Sequence, residues 1–358
     1  MIMREYKSYF REEIEAMAGY TPGEQPKVSR LIKLNTNENP YPPSPKAMEV
    51  LKEFESSRLH RYPNANADEF CEAVAERFGI SRNMVIAGNG SDDILTITFR
   101  AFTSEKLSMA CLEPTYSLYK ELIRMQNAKM QTIKLNTEDF SLPENFLEQA
   151  KGANLLIITR PNAPTGNSFP LEKIREICEK FDGVVLIDEA YADFTSDNCM
   201  ELAATMPNVI VSRTMSKSYS LAGLRFAYAV GHPELIKGLY KLKDSYNVDM
   251  VAQKVALAAF MDIEYLEKNV RAIKATRDKV AAALKAMNFK VIDSESNFLF
   301  VSPPDENGEN YFSALRKENI ICRYFPGEVT GKYLRISIGT PEEMDEVLQI
   351  TEKIYKKN

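Results

Sequence analysis

The stretch 209-VIVSRTMSKSYSLAGLRFAYAVG-231 contains two apolar runs joined by a polar turn that carries Lys217. The runs VIVSR (209–213) and FAYAVG (226–231) are continuous rather than alternating, which is typical of strands buried on both faces. Similar runs are MVIA (84–87), SMACL (108–112), LLIIT (155–159) and VVLID (184–188), and helical patterns such as SDDILTITFRAF (91–102) and PLEKIREICEKF (170–181) lie between most of them. This alternation predicts an α/β fold with a mostly parallel sheet covered on both sides.

The chain of 358 residues is longer than a single hydrophobic core usually supports, so two domains are expected. The last third begins with a long helical pattern (264–287), continues with FKVID, NFLFVSP, IICRYF and YLRISIG, and closes with a helix from Pro341. We therefore predict an N-terminal arm over 1–35 and a large ligand-binding domain over 36–245. A smaller α+β domain over 246–358 would be completed by part of the arm.

Composition excludes several classes of function. A net charge of −5 argues against a nucleic-acid surface, and two histidines leave little for a Ser-His-Asp or zinc site. Five scattered cysteines without a C-x-x-C pair indicate buried thiols in a reducing compartment. The charged N-terminus and the lack of a long apolar run predict a cytoplasmic protein without a membrane partner.

In mostly parallel sheets ligands bind beyond the carboxyl ends of the strands, so functional residues are expected at those positions. MVIA leads into GNGSDD (88–93), a glycine-rich turn that opens a helix and suits a phosphate, although an ordinary tight turn fits as well. Tyr116 follows SMACL and could stack on a flat ring or simply belong to the core. Asn162 follows LLIIT in a turn-rich segment that by itself is merely a loop signal.

Two further strand ends carry charge. VVLID ends on Asp188, and a carboxylate there is costly unless it has a partner, either a helix N-terminus or the cation of a ligand. Most lysines are solvated, but Lys217 follows a buried strand and could act through a Schiff base. Ser216 and Arg225 would then hold an anion, most naturally a phosphate. Amine, carboxylate, phenols, amide and phosphate cradle together match the sites of pyridoxal phosphate.

Motifs throughout the chain extend this match. They are GYTPGEQP (19–26), LNTNENPYPPSP (34–45), RYPN (61–64), GNGSDD (88–93), EPTY (113–116), PNAPTGN (161–167), DEAYADF (188–194), TMSKSYSLAGLR (214–225), SNFLF (296–300), CRYF (322–325) and LRISIGT (334–340). In this order they resemble the fold-type I pyridoxal-phosphate aminotransferases, specifically the histidinol-phosphate aminotransferases. The resemblance implies amino transfer between histidinol phosphate/imidazole-acetol phosphate and glutamate/2-oxoglutarate in histidine biosynthesis.

The resemblance also implies roles around the cofactor ring. Lys217 would form the Schiff base and then move a proton between the substrate α-carbon and the cofactor's C4′. Asp188 would keep the pyridine nitrogen protonated. Tyr191 and Asn162 would hydrogen-bond the ring's phenolic oxygen, and Tyr116 would stack on the ring.

The same resemblance assigns the phosphate of the cofactor to Ser216, Arg225 and the backbone amides of Ser91 and Asp92. Tyr62 would reach this phosphate from the other subunit of a homodimer.

On the substrate side, the resemblance implies that Arg335 binds the α-carboxylate of glutamate. Arg323 would face the distal anion, either the phosphate of histidinol phosphate or the side-chain carboxylate of glutamate. Tyr20 and Asn37 are further substrate-side candidates.

Alternatives remain open at this point. An aromatic amino acid aminotransferase shares the fold, and a phosphothreonine-type decarboxylase also reads a phosphate. A ligand-sensing regulator would normally add a DNA-binding segment, and a dinucleotide site lacks its third glycine, where Asp93 stands. Three residues depart from the family pattern: Ala163, Asp93 and Asp193. None of them is a residue to which the resemblance gives a chemical role.

Overall fold

The computed structural model describes residues 8–19, 23–26 and 30–355. The helices are α1 (Glu12–Glu15), α2 (Pro45–Lys52), α3 (Asp68–Phe78), α4 (Ser91–Phe102), α5 (Leu118–Met125), α6 (Phe146–Gln149), α7 (Leu171–Lys180), α8 (Met200–Thr205), α9 (Pro233–Tyr240), α10 (Met250–Met261), α11 (Ile263–Ala286), α12 (Gly308–Lys317) and α13 (Pro341–Tyr355). Within the described ranges, no helix has the length and apolarity that a membrane crossing requires.

The strands form three sheets. They are β1 (Ile32–Lys33), β2 (Val85–Gly88), β3 (Met109–Glu113), β4 (Met130–Lys134), β5 (Leu155–Thr159), β6 (Val184–Asp188), β7 (Val209–Thr214), β8 (Ala227–Gly231), β9 (Lys290–Val291), β10 (Phe298–Ser302), β11 (Ile320–Ile321), β12 (Arg323–Tyr324) and β13 (Leu334–Ser337). The largest sheet has the order β2-β8-β7-β6-β5-β3-β4. The predicted α/β fold class is therefore confirmed.

In the seven-stranded sheet, β8 is antiparallel to both of its neighbours and the other pairs are parallel. Because two reversals cancel, β2 runs in the same direction as β7. The carboxyl ends of β2, β3, β5, β6 and β7 therefore meet at one edge, together with the start of β8. The six apolar runs of the sequence became these six strands because each is covered on both faces.

Strand β4 was not predicted from the sequence. Three of its five residues, Gln131, Thr132 and Lys134, are polar, and Ile133 alone among the five is fully buried. The strand lies at the end of the sheet and pairs with β3 alone, so most of its side chains remain partly exposed. An edge strand of this kind does not need the continuous apolar run on which the prediction depended.

The C-terminal third forms a four-stranded antiparallel sheet of order β12-β13-β10-β9. The predicted run IICRYF splits at Cys322 between two sheets. Ile320–Ile321 pairs in parallel with Ile32–Lys33, while Arg323–Tyr324 pairs with β13. The segment 1–35 thus contributes a strand that lies beside the C-terminal sheet.

Helix α10 packs on α2 and α3, and its buried residues belong to the same apolar cluster as theirs. Helix α11 instead contacts α13 and β9. The division into domains stays a prediction, but this packing favours a boundary after α10 rather than between residues 245 and 246.

All five cysteines are buried as free thiols: Cys71, Cys111, Cys178, Cys199 and Cys322. Burial raises the pKa of the Cys71, Cys111 and Cys178 thiols to about 12, so each stays protonated near neutral pH.

A buried ion-pair network supports the strand end that precedes Lys217. Arg213 on β7 is 8% exposed, and its Nη2 lies 2.8 Å from Oε2 of Glu189, which is 2% exposed. Its Nη1 lies 3.0 Å from Asp193 Oδ1. Because both carboxylates share one guanidinium, removal of Arg213 would leave two acidic groups without their cation.

We expect Arg213→Met to lower the free energy of unfolding by about 3–5 kcal/mol, the usual effect of breaking a buried ion pair. Urea unfolding followed by circular dichroism measures the loss. The control is Arg271→Met, which removes an exposed helical pair with Glu267 at 3.2 Å and should cost less than about 1 kcal/mol. Equal losses in the two variants would contradict a supporting role of the network.

Candidate active site

A cavity of about 330 Å³ opens at the carboxyl edge of the large sheet and is closed from the other side by β12, β13 and the segment 35–38. Its volume suits a small ligand. It brings together most of the predicted site residues: Asn37, Ser91, Asp92, Tyr116, Asp188, Tyr191, Ser216, Lys217, Arg225, Arg323 and Arg335.

Two predicted residues, Asn162 and Tyr62, do not line this cavity. Asn162 is fully buried and, unlike its neighbours Ala163 and Pro164, does not line the cavity. Its Nδ2 donates to the Pro114 carbonyl and to Thr165 Oγ1. Tyr62 is 78% exposed and stacks on the Tyr246 ring, outside the cavity of its own chain. Tyr20 lies outside the described residues.

The amine of Lys217 points across the cavity to the N-terminal segment. Its Nζ donates to the carbonyl oxygen of Thr36 at 2.8 Å. Burial and the neighbouring Arg335 and Arg225 lower the pKa of Lys217 to about 8, while Glu38 acts in the opposite direction. A substantial fraction of the amine is therefore neutral near pH 8, which a nucleophilic lysine requires.

The loop that carries Lys217 is held from both sides. Asn39 Nδ2 donates to the carbonyl oxygens of Lys217 and Ser218 at 3.1 and 3.0 Å. The Ser218 hydroxyl donates to Asp193, which also binds Arg213. The buried network under β7 thus extends to the residue beside the amine.

Asp188 ends the central strand β6 and is 5% exposed. Its Oδ2 accepts a hydrogen bond from the Tyr119 hydroxyl at 2.6 Å, and its Oδ1 accepts one from the Ala190 amide at 3.2 Å. Burial raises the pKa of Asp188, and no ion pair in the described part of the chain includes it. A cationic ligand group would supply the missing countercharge.

A phosphate-sized anion fits the turn between β2 and α4. Gly90 has φ +81°, and a Cβ there would lie 2.5 Å from Arg225 Nη2, so a side chain would collide with the guanidinium. Arg225 Nη1 donates to Ser216 Oγ at 3.4 Å, and Nη2 lies 3.5 Å from Asp92 Oδ2. Arg225 therefore lies beside both the Ser216 hydroxyl and the first turn of α4, and a guanidinium, a hydroxyl and the backbone amides of a helix N-terminus are groups that bind phosphate.

The aromatic residues of the site contact each other. Tyr116 lines the cavity and packs edge-on against Tyr119 at a ring distance of 5.6 Å. The Tyr191 oxygen accepts a hydrogen bond from Asn37 Nδ2 at 2.8 Å. The predicted ring-side residues Tyr116 and Tyr191 are thus held in place by neighbouring side chains.

Two arginines face the cavity from the small sheet. Arg323 on β12 and Arg335 on β13 are directly opposite each other across the antiparallel pair. Their guanidinium carbons lie 5.7 and 5.2 Å from the centre of the Phe325 ring. Like charges at opposite positions destabilise a sheet, so an anion between them would be favourable.

Several functional residues were missed by the sequence analysis. Tyr119 lies three residues after Tyr116 in the turn that begins α5, and its closeness in sequence to a residue at a strand end could have indicated a common site. Thr36 and Glu38 lie inside the quoted LNTNENPYPPSP motif, but nothing in that motif indicates that they line the same cavity as Lys217. Partial burial alone would raise the pKa of Glu38, yet hydrogen bonds from Lys33 and Thr36 lower it. Glu38 therefore remains ionised at the cavity.

These groups fit pyridoxal phosphate. A cradle for a phosphate, a buried carboxylate without a cation and a partly neutral amine line one cavity. The cofactor's phosphate, protonated ring nitrogen and aldehyde are complementary to them in that order.

Comparisons with known proteins agree with this geometry. A family model described as aminotransferase class I and II matches residues 29–350. The histidinol-phosphate aminotransferase of Syntrophotalea carbinolica is 44% identical over 339 residues, which cover 94% of this chain and 97% of that protein. The histidinol-phosphate aminotransferase of Clostridium acetobutylicum is 43% identical over 345 residues, covering 95% and 97%.

Solved structures show the same fold. The histidinol-phosphate aminotransferase from Sinorhizobium meliloti, in complex with pyridoxal-5′-phosphate, superposes with a TM-score of 0.89 at 20% identity. The match covers 98% of this chain and 99% of that chain. Aspartate aminotransferase from Thermus thermophilus with maleate superposes with a TM-score of 0.78 at 19% identity, covering 90% and 91%.

We expect Lys217 in the cofactor-free protein to react with an amine-modifying reagent at half its maximal rate near pH 8. Exposed lysines, with an ordinary pKa of about 10.4, should require a far higher pH. Labelling over a pH series followed by peptide mass spectrometry gives the midpoint for each lysine.

Arg335→Gln should raise the Lys217 midpoint, because the positive charge of Arg335 lowers the pKa of this amine. The control Arg271→Gln changes an exposed arginine on α11 and should leave the midpoint unchanged. A wild-type midpoint above pH 10, or one that Arg335→Gln does not move, would contradict this account.

Proposed function

The chain belongs to the aminotransferase class I and II family, and we propose that it is a pyridoxal-phosphate-dependent histidinol-phosphate aminotransferase. The reaction exchanges the amino group of histidinol phosphate for the carbonyl oxygen of 2-oxoglutarate, forming imidazole-acetol phosphate and glutamate. The family membership and enzyme class expected from the sequence motifs are confirmed. The relatives' activity places this reaction in histidine biosynthesis.

The observation that carries the substrate assignment is the pair of arginines at opposite positions of β12 and β13. Both line the cavity that contains Lys217. Guanidinium groups bind both phosphate and carboxylate, so one pair can accept a phosphorylated donor and then a dicarboxylic acceptor. Arg335 binds the α-carboxylate of glutamate in this proposal, and Arg323 binds the distal anion.

Bound pyridoxal phosphate supplies an aldehyde for covalent attachment and a ring that withdraws electrons from the reacting carbon. The α4 N-terminus, Ser216 and Arg225 would hold its phosphate, which their contacts with one another support. Asp188 would bind the protonated ring nitrogen, because that cation offsets the burial of the carboxylate. Tyr191 would donate to the phenolic oxygen, and Tyr116 would contact the ring.

Lys217 has two tasks in the proposed reaction. Its neutral amine would hold the cofactor through the cofactor's aldehyde, and the same amine would hold or move a proton at the substrate's α-carbon. The Thr36 carbonyl oxygen accepts a hydrogen bond from the Lys217 amine at 2.8 Å. This bond would orient the amine when it is not bonded to the cofactor. Burial and the positive charges of Arg335 and Arg225 lower the pKa of this amine.

A homodimer is part of the proposal, with the partner subunit's Tyr62 reaching the phosphate cradle. Two facts support it: Tyr62 is 78% exposed, and it stacks on the Tyr246 ring at 4.4 Å rather than lining its own cavity. Large exposed aromatic pairs are typical of contact surfaces. The cytoplasmic location stays a prediction from the sequence.

The donor panel tests the function directly. Purified protein loaded with pyridoxal phosphate is mixed with histidinol phosphate, glutamate, phenylalanine or tyrosine, and conversion of the cofactor to its amine form is followed by absorbance. Histidinol phosphate and glutamate should convert it, and phenylalanine and tyrosine should react at least about tenfold more slowly, since each lacks a distal anion for Arg323. An inert histidinol phosphate beside a rapid phenylalanine or tyrosine would identify an aromatic aminotransferase instead.

We expect Arg323→Ala to lower kcat/KM for histidinol phosphate by about 100-fold or more, because a charge-assisted contact to the phosphate is lost. For phenylalanine the loss should stay below about tenfold, since phenylalanine has no distal anion. Steady-state kinetics with both donors measure the two ratios, and Arg271→Ala serves as the surface control. Equal losses for the two donors would argue against contact between Arg323 and the distal anion.

A further inference from the structure

Asn37 and Ser337 form a closed pair of hydrogen bonds next to the Tyr191 hydroxyl. The Asn37 backbone amide donates to Ser337 Oγ at 2.9 Å, and the Ser337 hydroxyl donates to Asn37 Oδ1 at 2.9 Å. Asn37 Nδ2 donates to the Tyr191 oxygen at 2.8 Å. The three residues are 1%, 2% and 7% exposed, so water does not compete for these bonds.

These hydrogen bonds fix which group donates and which accepts, first at Ser337, then at Asn37 and finally at Tyr191. Because the Asn37 amide occupies a lone pair of Ser337 Oγ, the Ser337 proton is available for Asn37 Oδ1. An Oδ1 that accepts this proton places the NH₂ group of Asn37 toward Tyr191. The Tyr191 oxygen is then an acceptor toward Asn37, and its own proton lies in another direction.

Residues at β10 and β13 hold the backbone of Asn37 and the ring of Tyr191 in place. Asn37 has φ +56°, a conformation that asparagine tolerates better than most residues, and Asn297 Nδ2 donates to its carbonyl at 2.9 Å. The Phe298 ring packs edge-on against Tyr191 at 5.1 Å, and Phe298 is the register partner of Ser337. Ser337 itself lies two positions after Arg335 on β13.

We infer that Asn37 and Ser337 are positioning residues that direct the Tyr191 proton into the cavity, toward the phenolic oxygen of the cofactor. This inference depends on the proposed function, because it assumes that the cavity holds pyridoxal phosphate. It differs from the substrate-binding role expected for Asn37 from the sequence, because the side-chain NH₂ group of Asn37 donates to the Tyr191 oxygen.

The direction of the effect follows from charge. A proton donated by Tyr191 would neutralise part of the negative charge on the phenolic oxygen, which in pyridoxal phosphate is bonded to the ring carbon next to the one that carries the aldehyde. Less negative charge there lowers the pKa of the Lys217 nitrogen when that nitrogen is bonded to the cofactor. Loss of the Tyr191 proton should therefore raise the pH at which the bound cofactor changes its visible absorbance.

The experiment titrates the absorbance of the holoenzyme with pH, without substrate, for wild type and variants. Tyr191→Phe should raise the midpoint by about 1 pH unit, the size expected for a hydrogen bond to a charged group. Ser337→Ala should raise it by about 0.3 pH units or more, because Asn37 can then rotate and accept the Tyr191 proton. Ser302→Ala, another buried serine on the neighbouring strand β10, should leave the midpoint unchanged.

A double-mutant cycle separates positioning from general disturbance. In the Tyr191→Phe background, Ser337→Ala should have no further effect on the midpoint, since the proton that it directs is gone. Asn37→Asp provides a second variant with the same shape. The new carboxylate charge should shift the midpoint whether or not the Tyr191 hydroxyl is present. The rest of the Asn37→Asp shift should disappear in the Tyr191→Phe background.

A midpoint that Ser337→Ala and Asn37→Asp leave in place, or that they shift equally with and without the Tyr191 hydroxyl, would overturn the inference. Those results presuppose bound cofactor. A protein that binds no pyridoxal phosphate would instead contradict the proposed function, so the two failures are distinguishable.

Discussion

The site depends on a carboxylate buried at the carboxyl end of the central strand. Asp188 is 5% exposed, and its neighbours offer it hydrogen bonds but no cation within the described chain. An unbalanced buried charge is unfavourable for the folded protein by itself. The same charge makes the cavity selective for a ligand with a cationic group at that position, so stability and binding oppose each other here.

The charges around Asp188 are distributed in a way that separates the chemical tasks. Four cations line the same cavity: Lys217, Arg225, Arg323 and Arg335. Burial, together with Arg335 and Arg225, lowers the pKa of the lysine. Arg225 belongs to the edge of the large sheet, whereas Arg335 comes from the small sheet. The amine of Lys217 thus lies between two anion-binding positions, one suited to a cofactor phosphate and one to a substrate.

Buried polar networks behind the cavity keep this arrangement in place. The network of Arg213, Glu189 and Asp193 continues through Ser218 to the loop of Lys217. Two adjacent residues at the end of β6 serve different purposes: Asp188, its last residue, faces the cavity, and Glu189, directly after the strand, pairs with Arg213. This alternation follows from the two-residue period of a strand.

The sequence by itself determined the large sheet and the chemical inventory of the site. LLIIT and VVLID form β5 and β6 with the predicted bounds, since doubly buried strands need continuous apolar runs. The half-exposed edge strand β4 and the split of IICRYF were not predictable in this way, because they depend on neighbours distant in the chain. The tertiary structure alone decided which groups meet: Arg323 opposite Arg335, Tyr119 on Asp188, and Asn37 between Ser337 and Tyr191. Local patterns specify which face of an element is buried, whereas the contacts of a buried polar group are chosen by elements up to 300 residues away.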